Sequence, residues 1–182
     1  GAGKSTLMKV LSGIYNFGTY SGDIIFNGEV QKFNTIKDSE HKGIAIIYQE
    51  LALVKQMTIA ENIFLGSEIT KKGLLNESET YTKTQDVLKE VHLDLSPTTR
   101  VINLGVGKQQ LVEIAKAISK NADLLILDEP SAALTETETD NLLDILRELK
   151  NKGVTCIYIS HKLGEVFSIA DSVTVLRDGK TI

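Results

Sequence analysis

The sequence predicts an α/β domain built on a largely parallel sheet, and three observations carry that expectation. Residues 44–48, 124–127 and 154–160 are short, nearly unbroken apolar runs, the pattern of strands covered on both faces. Stretches with apolar side chains at helical spacing separate them, as crossovers between parallel strands require. Asn27-Gly28, between the apolar-rich segments 23–26 and 29–33, marks a tight turn, so an antiparallel β-hairpin region accompanies the parallel sheet.

The elements follow in order. Residues 4–12 form a helix whose apolar stripe runs through Leu7, Val10, Leu11 and Ile14, with Gly13 as its C′ residue. The strand 44–48 comes after Gly43. Thr58 with Glu61 makes a capping box that starts a short helix through Leu65, and Thr135 with Glu138 repeats the device ahead of a helix over 142–150. Residues 76–91 read as a polar surface helix, and 108–119 as a helix with Leu111, Ile114, Ala115 and Ile118 on one stripe. From about 51 to 120 there is no convincing strand, so that stretch is expected to be a helical subdomain inserted into the sheet. Residues 1–182 together are expected to form a single domain, since that length falls within the usual range of about 100–200 residues.

Composition narrows the class. Hydrophobic residues at 42% and charged residues at 24% exclude a disordered or fibrous chain. No apolar run approaches the roughly 18 residues that a membrane-spanning helix needs. The lone Cys156 cannot form an internal disulfide, and no Cys/His cluster has zinc spacing, which suits a cytoplasmic setting. A net charge of −4 argues against nucleic acid as the main partner.

Chemistry concentrates in five places. Gly1-Ala2-Gly3-Lys4-Ser5-Thr6 is the tail of a phosphate-binding loop whose first glycine would precede Gly1, so the sequence is expected to be a piece of a longer chain. In such a loop, backbone N–H groups close around phosphate oxygens, Lys4 adds charge and Ser5 offers a hydroxyl to Mg²⁺. The plainer reading is a glycine-rich helix start with an incidental lysine. The apolar run 124–127 ends in Asp128-Glu129, which puts two carboxylates at the carboxyl edge of a parallel sheet, where ligands of such folds bind. Asp128 suits Mg²⁺ and Glu129 suits orienting a water; alone, the pair reads equally well as a polar strand end before Pro130. Gln49 and His161 each lie just past another strand. Leu104-Gly105-Val106-Gly107-Lys108-Gln109 leads into a helix whose N–H groups and dipole form a second anion site, or simply a glycine-rich cap.

Taken in order, the phosphate loop, Gln49, Leu104 to Gln110, the strand ending in Asp128-Glu129, Ser131-Ala132-Ala133-Leu134 and His161 resemble the ATPase domain of ABC transporters, a branch of the P-loop NTPase fold, over essentially the whole chain. The resemblance implies that Gly1, Ala2, Gly3, Lys4, Ser5 and Thr6 bind nucleotide as the Walker A motif. It makes Gln49 the Q-loop residue, Asp128 and Glu129 the Walker B pair and His161 the switch histidine. Glu129, His161 and Gln49 are then catalytic, and Ser5, Gln49 and Asp128 hold Mg²⁺. Leu104, Gly105, Val106, Gly107, Lys108 and Gln109 become the signature motif, which meets the ATP held by an opposite domain. ATP and Mg²⁺ are the implied substrate and cofactor.

Met8 to Gly13, Gln49 to Leu51, Glu61 to Gly66, Gln110 to Ala117 and Tyr158 to His161 further resemble the simple-sugar importer branch. Gly18 to Tyr20, Asp23 to Phe26 and Leu104-Gly105 are most similar to its xylose-importing members. The implied function is hydrolysis of ATP to energise import of a simple sugar. The implied partners are a second ATPase domain, fused in tandem or as a homodimer, and membrane-spanning permease subunits, with a sugar-binding protein acting indirectly, at the cytoplasmic face of the membrane. Two positions depart from the family pattern: Gly105 replaces the signature serine and Lys108 the usual Gln or Glu. The alternatives are a soluble ABC-type ATPase not coupled to transport, and a regulatory half with a degenerate signature.

Overall fold

The computed structural model describes residues 2–182. Its centre is a parallel three-stranded sheet in the order β3 (Ile44–Ile47), β6 (Leu124–Asp128), β7 (Thr155–Ile159), with Ile44 opposite Leu124, and Leu124 opposite Thr155. Alternation along each strand sorts the side chains into two cores. Ala45, Ile47, Leu125, Leu127, Cys156 and Tyr158 join the larger one, beneath α5 (Val106–Ile118) and α6 (Glu136–Asn151). Ile44, Ile46, Ile126 and Ile159 face the other way and pack with Met8 of α1 (Lys4–Leu11) and with Ile24 of β1 (Ile24–Phe26). Helices thus cover both sides of the sheet, the arrangement that near-continuous apolar strands require. β7 is the correction: Ile157 is 41% exposed, because among the described residues β7 is an edge strand paired only with β6.

Capping decides most helix starts. The Thr58–Glu61 and Thr135–Glu138 boxes both form, opening α3 (Ile59–Ile63) and α6. Asn76 caps α4 (Glu77–Glu90) by accepting from the Glu79 N–H. A third box, Thr35–Asp38, opens α2 (Ile36–His41), a helix the apolar pattern does not announce. The helix α7 (Leu163–Ile169) is equally silent in the pattern. The helices α3, α4 and α5 pack on one another between β3 and β6, forming the inserted helical region.

Hairpins are more numerous than the sequence suggests. Asn27-Gly28 turns β1 into β2 (Glu29–Gln31) with both residues at positive φ. The same geometry at Lys72-Gly73 joins β4 (Thr70–Lys71) to β5 (Leu74–Leu75), and at Asp178-Gly179 joins β8 (Leu176–Arg177) to β9 (Lys180–Thr181). The β4–β5 pair lies inside the stretch expected to lack strands. Two exposed residues on each side carry no alternation that a sequence pattern could register. Among the described residues, no helix is long and apolar enough to cross a membrane.

Gly13 shows how tightly α1 is held. It follows the C-cap Ser12 at φ 75°, and a Cβ there would sit 2.5 Å from the Thr35 carbonyl oxygen. Gly13→Ala combines left-handed strain of about 1–2 kcal/mol with a backbone clash. A drop in stability at least that large is expected in urea unfolding, and a variant as stable as wild type would contradict this packing.

Candidate functional site

The site is assembled by the ends of two strands and the start of one helix. Asp128 is the last residue of β6 and pairs with Ile159, the last residue of β7. The next residue, Glu129, donates its N–H to the Ile159 carbonyl at 2.9 Å and turns away at φ 49°. A non-glycine residue in that left-handed region costs on the order of 1–3 kcal/mol and persists only where its surroundings fix it. Here the Glu129 carbonyl also accepts from the Ala132 N–H at 3.2 Å. The strained turn presents the Glu129 carboxylate between two basic groups: Lys4 Nζ lies 3.8 Å from Oε1, and His161 Nδ1 lies 3.2 Å from Oε2. His161 arrives two residues past the end of β7, and Lys4 is the first residue of α1.

Gly3 caps α1 at φ 90°, where a Cβ would come within 3.3 Å of the Gly179 Cα, and Ala2 accepts the Gly179 N–H at 3.2 Å. The β8–β9 turn therefore closes on the loop ahead of α1. Ser5 and Thr6 lie exposed in the first turn, where backbone N–H groups lack intrahelical partners. Gly1 lies outside the described residues. Burial first, and the neighbouring Glu129 charge second, push the Asp128 carboxyl above its ordinary value, while Lys4 works against both. A carboxylate so placed gains from a cation. With the hydroxyl of Ser5 and the amide of Gln49, the donor set is all oxygen, which fits a hard divalent ion such as Mg²⁺.

The structure brings Lys4, Glu129 and His161 together, with Asp128 beside them, and leaves the other candidates apart. Gln49 lies exposed two residues beyond β3. Leu104 to Gln109 form the entry to α5, and no hydrogen bond or ion pair among the described residues joins them to the Lys4 cluster. Gly105, Val106 and Lys108 are exposed, whereas Gln109 turns inward and donates its amide to the Leu104 carbonyl at 2.8 Å. Helix α5 starts two residues before the expected Lys108, with Gly105 as an extended N-cap. Gly107 faces α6, so closely that a Cβ would overlap the Glu138 carboxylate.

Two residues without an assigned role shape the segment behind Gln49. Glu113 on α5 accepts the Ala52 N–H at 2.7 Å, and the fully buried Asn62 holds both the N–H and the carbonyl of Val54, at 2.7 and 3.0 Å. Val101 and Ile102 add N–H bonds to the carbonyls of Met57 and Lys55, at 3.0 and 2.8 Å. The apolar residues of this segment divide between roles: Leu53 packs on the main core, while Ala52 and Val54 stay exposed.

With the geometry in place, comparisons with known proteins locate the chain. A family profile described as ABC transporter matches residues 1–132. The chain is 66% identical to the xylose import ATP-binding protein of Thermoanaerobacter pseudethanolicus, over 100% of this chain and 36% of that protein. It is 62% identical to the L-arabinose transport ATP-binding protein of Geobacillus stearothermophilus, with the same coverage. The chain thus spans about a third of the length of these curated relatives. Among solved structures, a nucleotide-free ATP-binding cassette from an ABC transporter superposes with a TM-score of 0.86 at 27% identity, covering 100% of this chain and 75% of that one. An ADP-bound cassette gives 0.85 at 28%, covering 100% and 74%.

Glu113 carries a testable consequence. Burial, its dominant influence, pushes its carboxyl up, against the pull of Lys116, the Ala52 N–H and Lys120. A carboxyl raised in the folded state costs stability as pH climbs through its unfolded and then its folded value. Glu113→Gln keeps an acceptor for Ala52 and removes the charge. The variant is expected to match wild type below about pH 4 and to exceed it at neutral pH, read as the urea midpoint. An advantage confined to acid would contradict this account.

Proposed function

Because the chain belongs to the ABC transporter family, we propose that it binds and hydrolyses ATP to energise import of a simple sugar, xylose in particular. The observation that carries the chemistry is the Glu129 carboxylate, held between Lys4 at 3.8 Å and His161 at 3.2 Å at the carboxyl edge of the sheet. Two of the most similar relatives are named for xylose import and one for L-arabinose transport, which supports a pentose as the cargo. The sugar itself does not meet these residues. It is specified by the partners, which this reading takes to be permease subunits and, through them, a sugar-binding protein. The chain then works at the cytoplasmic face of the membrane, and a second ATPase domain, fused or separate, completes the site.

In this reading the residues Gly1 to Thr6, the last three of them in the first turn of α1, hold the phosphates. The Lys4 ammonium meets the β- and γ-phosphates, and the helix N-terminus adds its dipole. Ser5, Gln49 and Asp128 would hold Mg²⁺, whose chemistry is to neutralise developing charge on the phosphate oxygens. Glu129 orients the attacking water and draws on its proton, and His161, contacting the same carboxylate, steadies it and reaches toward the γ-phosphate. Leu104 to Gln109 serve the ATP of the opposite domain. Their exposed entry, Gly105 to Lys108 excepting Gly107, suits a surface that another domain covers. The exposed Ala52 and Val54 beside Gln49 offer the permease a footing.

Glu129→Gln in the full-length protein tests the core of this reading. Turnover is expected to fall by about two orders of magnitude or more, the scale of a lost general base, while ATP affinity survives. Lys4→Ala, in contrast, is expected to lose nucleotide affinity in equilibrium titration. Wild-type turnover in the first variant would remove Glu129 from the mechanism.

Gly105 offers a second test. Its φ of −64° suits any residue, and a Cβ there would meet nothing within 4 Å. Gly105→Ser therefore fits without strain and adds a hydroxyl donor toward the opposite phosphate, worth about 1.5–3 kcal/mol when the acceptor is charged. Equal or higher ATPase activity and a tighter ATP-bound dimer are expected. A strong loss of activity would show that the added hydroxyl does not serve that phosphate.

A further inference from the structure

The turns that carry Glu129 and His161 are joined by a third carboxylate that touches neither. Glu165 stands in the first turn of α7 with its side chain only 11% exposed. Its Oε2 accepts from the Ser131 hydroxyl at 2.6 Å, the Tyr158 hydroxyl at 2.7 Å and the Ser160 hydroxyl at 3.3 Å. Its Oε1 lies 3.1 Å from the Lys162 ammonium, which also donates to the Ser131 carbonyl at 3.0 Å. The Ser160 oxygen in turn accepts the Lys162 backbone N–H at 3.0 Å. Burial works to raise the Glu165 carboxyl, but the bonds from Ser131, Tyr158 and Lys162 together with the Lys162 charge hold it below its ordinary value.

The placement of the donors matters more than their number. Ser131 lies two residues beyond Glu129. Ser160 and Lys162 flank His161 on either side. Tyr158 anchors the cluster to β7, inside the sheet. A glutamate at a helix start commonly serves its own helix by capping backbone N–H groups. The Glu165 carboxylate does not: its hydroxyl donors come from the turn after β6, from β7 and from the loop after β7.

We propose that Glu165 is a positioning residue for ATP hydrolysis, clamping the turn of Glu129 to the loop of His161 so that their contact stays at 3.2 Å; this rests on the roles assigned above to Glu129 and His161. The clamp fixes the loop on both sides of His161, so the imidazole, two-thirds exposed, takes its position from its backbone rather than from packing. Losing the clamp frees the His161 loop while leaving Lys4, Ser5 and Asp128 in place. The clamp therefore acts on turnover and not on nucleotide binding.

Glu165→Gln in the full-length protein removes the charge and converts one acceptor oxygen into a donor. The expected result is a fall in kcat of tenfold or more, with KM and equilibrium ATP affinity within twofold of wild type. Tyr158→Phe and Ser131→Ala each delete one bond to the same carboxylate and are expected to lower kcat several-fold in the same pattern, which keeps the test open should Glu165→Gln fail to fold. The deciding measurement is the cycle with His161→Ala. If Glu165 acts through His161, Glu165→Gln (or Tyr158→Phe) has little further effect in that background. Equal fractional losses in both backgrounds, or ATP affinity falling in step with kcat, would mean a merely structural role and overturn the proposal. A wild-type rate in Glu165→Gln while Glu129→Gln is inactive would overturn the positioning role alone. A wild-type rate in Glu129→Gln would overturn the parent reading and the clamp with it.

Discussion

The geometry of the site depends on the in-register parallel pairing of β6 with β3 on one side and β7 on the other. Parallel strands deliver all their carboxyl ends to one edge, so Asp128 with Glu129 and His161 emerge together, and Gln49 leaves β3 at the same edge without bonding to them among the described residues. Register also selects the face. A slip of one residue would send Ile126 into the helical core and Leu125 toward α1, exchanging the two cores at once. Met8, packed on the Ile126 side, then sets where α1 begins, and with it the reach of Lys4 to Glu129.

The same edge concentrates what the fold would otherwise avoid. Asp128 is half-buried beside a second carboxylate, and Glu129 adopts a backbone conformation that non-glycine residues rarely take. Lys4 offsets the Asp128 perturbation only in part. Each of these features costs stability, and strain and perturbed ionisation gather where a protein binds or reacts. The cost is carried by the strand itself: Leu125, Ile126 and Leu127 are essentially inaccessible to solvent. A rigid, fully covered strand can hold two acids at its end in one arrangement, which a loop could not.

How much of this was legible in sequence follows from the range of the interactions. The three strands of the central sheet and the Thr58 and Thr135 capping boxes depend on neighbours within a few residues, and short windows show them, although the exposure of β7 at the edge does not follow from its apolar run. Lys4, Asp128, Glu129 and His161 could be singled out by type and by position at element ends. What pairs with what could not. Glu113 reaches back 61 positions to Ala52, and Ser131 meets Glu165 across 34, distances over which no local rule operates. The left-handed Glu129 has no glycine to announce it. Asp178-Gly179 carried the same turn signal as Asn27-Gly28 and could have been read, whereas Lys72-Gly73 offered only half of it. Gly105 shows the limit from the other side, since a glycine in sequence suggests special backbone, and here φ is ordinary and the surrounding space empty.

Helix α5 connects the two parts of the molecule that the Lys4 cluster leaves apart. Its middle is bonded through Glu113 to Ala52, three residues past Gln49. The residues just ahead of it, Val101 and Ile102, are bonded to Met57 and Lys55 of the same segment. The exposed turn at Gly105 therefore stands at the end of a rod whose body and entry are both fastened to the segment behind Gln49. A 13-residue helix is stiff over its length of about 20 Å. Glu138 of α6, pressed against Gly107, bears on that rod near its tip. Residues 52–57 are thus bonded on one side to α5 and its entry and on the other to the fully enclosed Asn62 of α3, so the segment behind Gln49 and the entry at Gly105 share one set of hydrogen bonds.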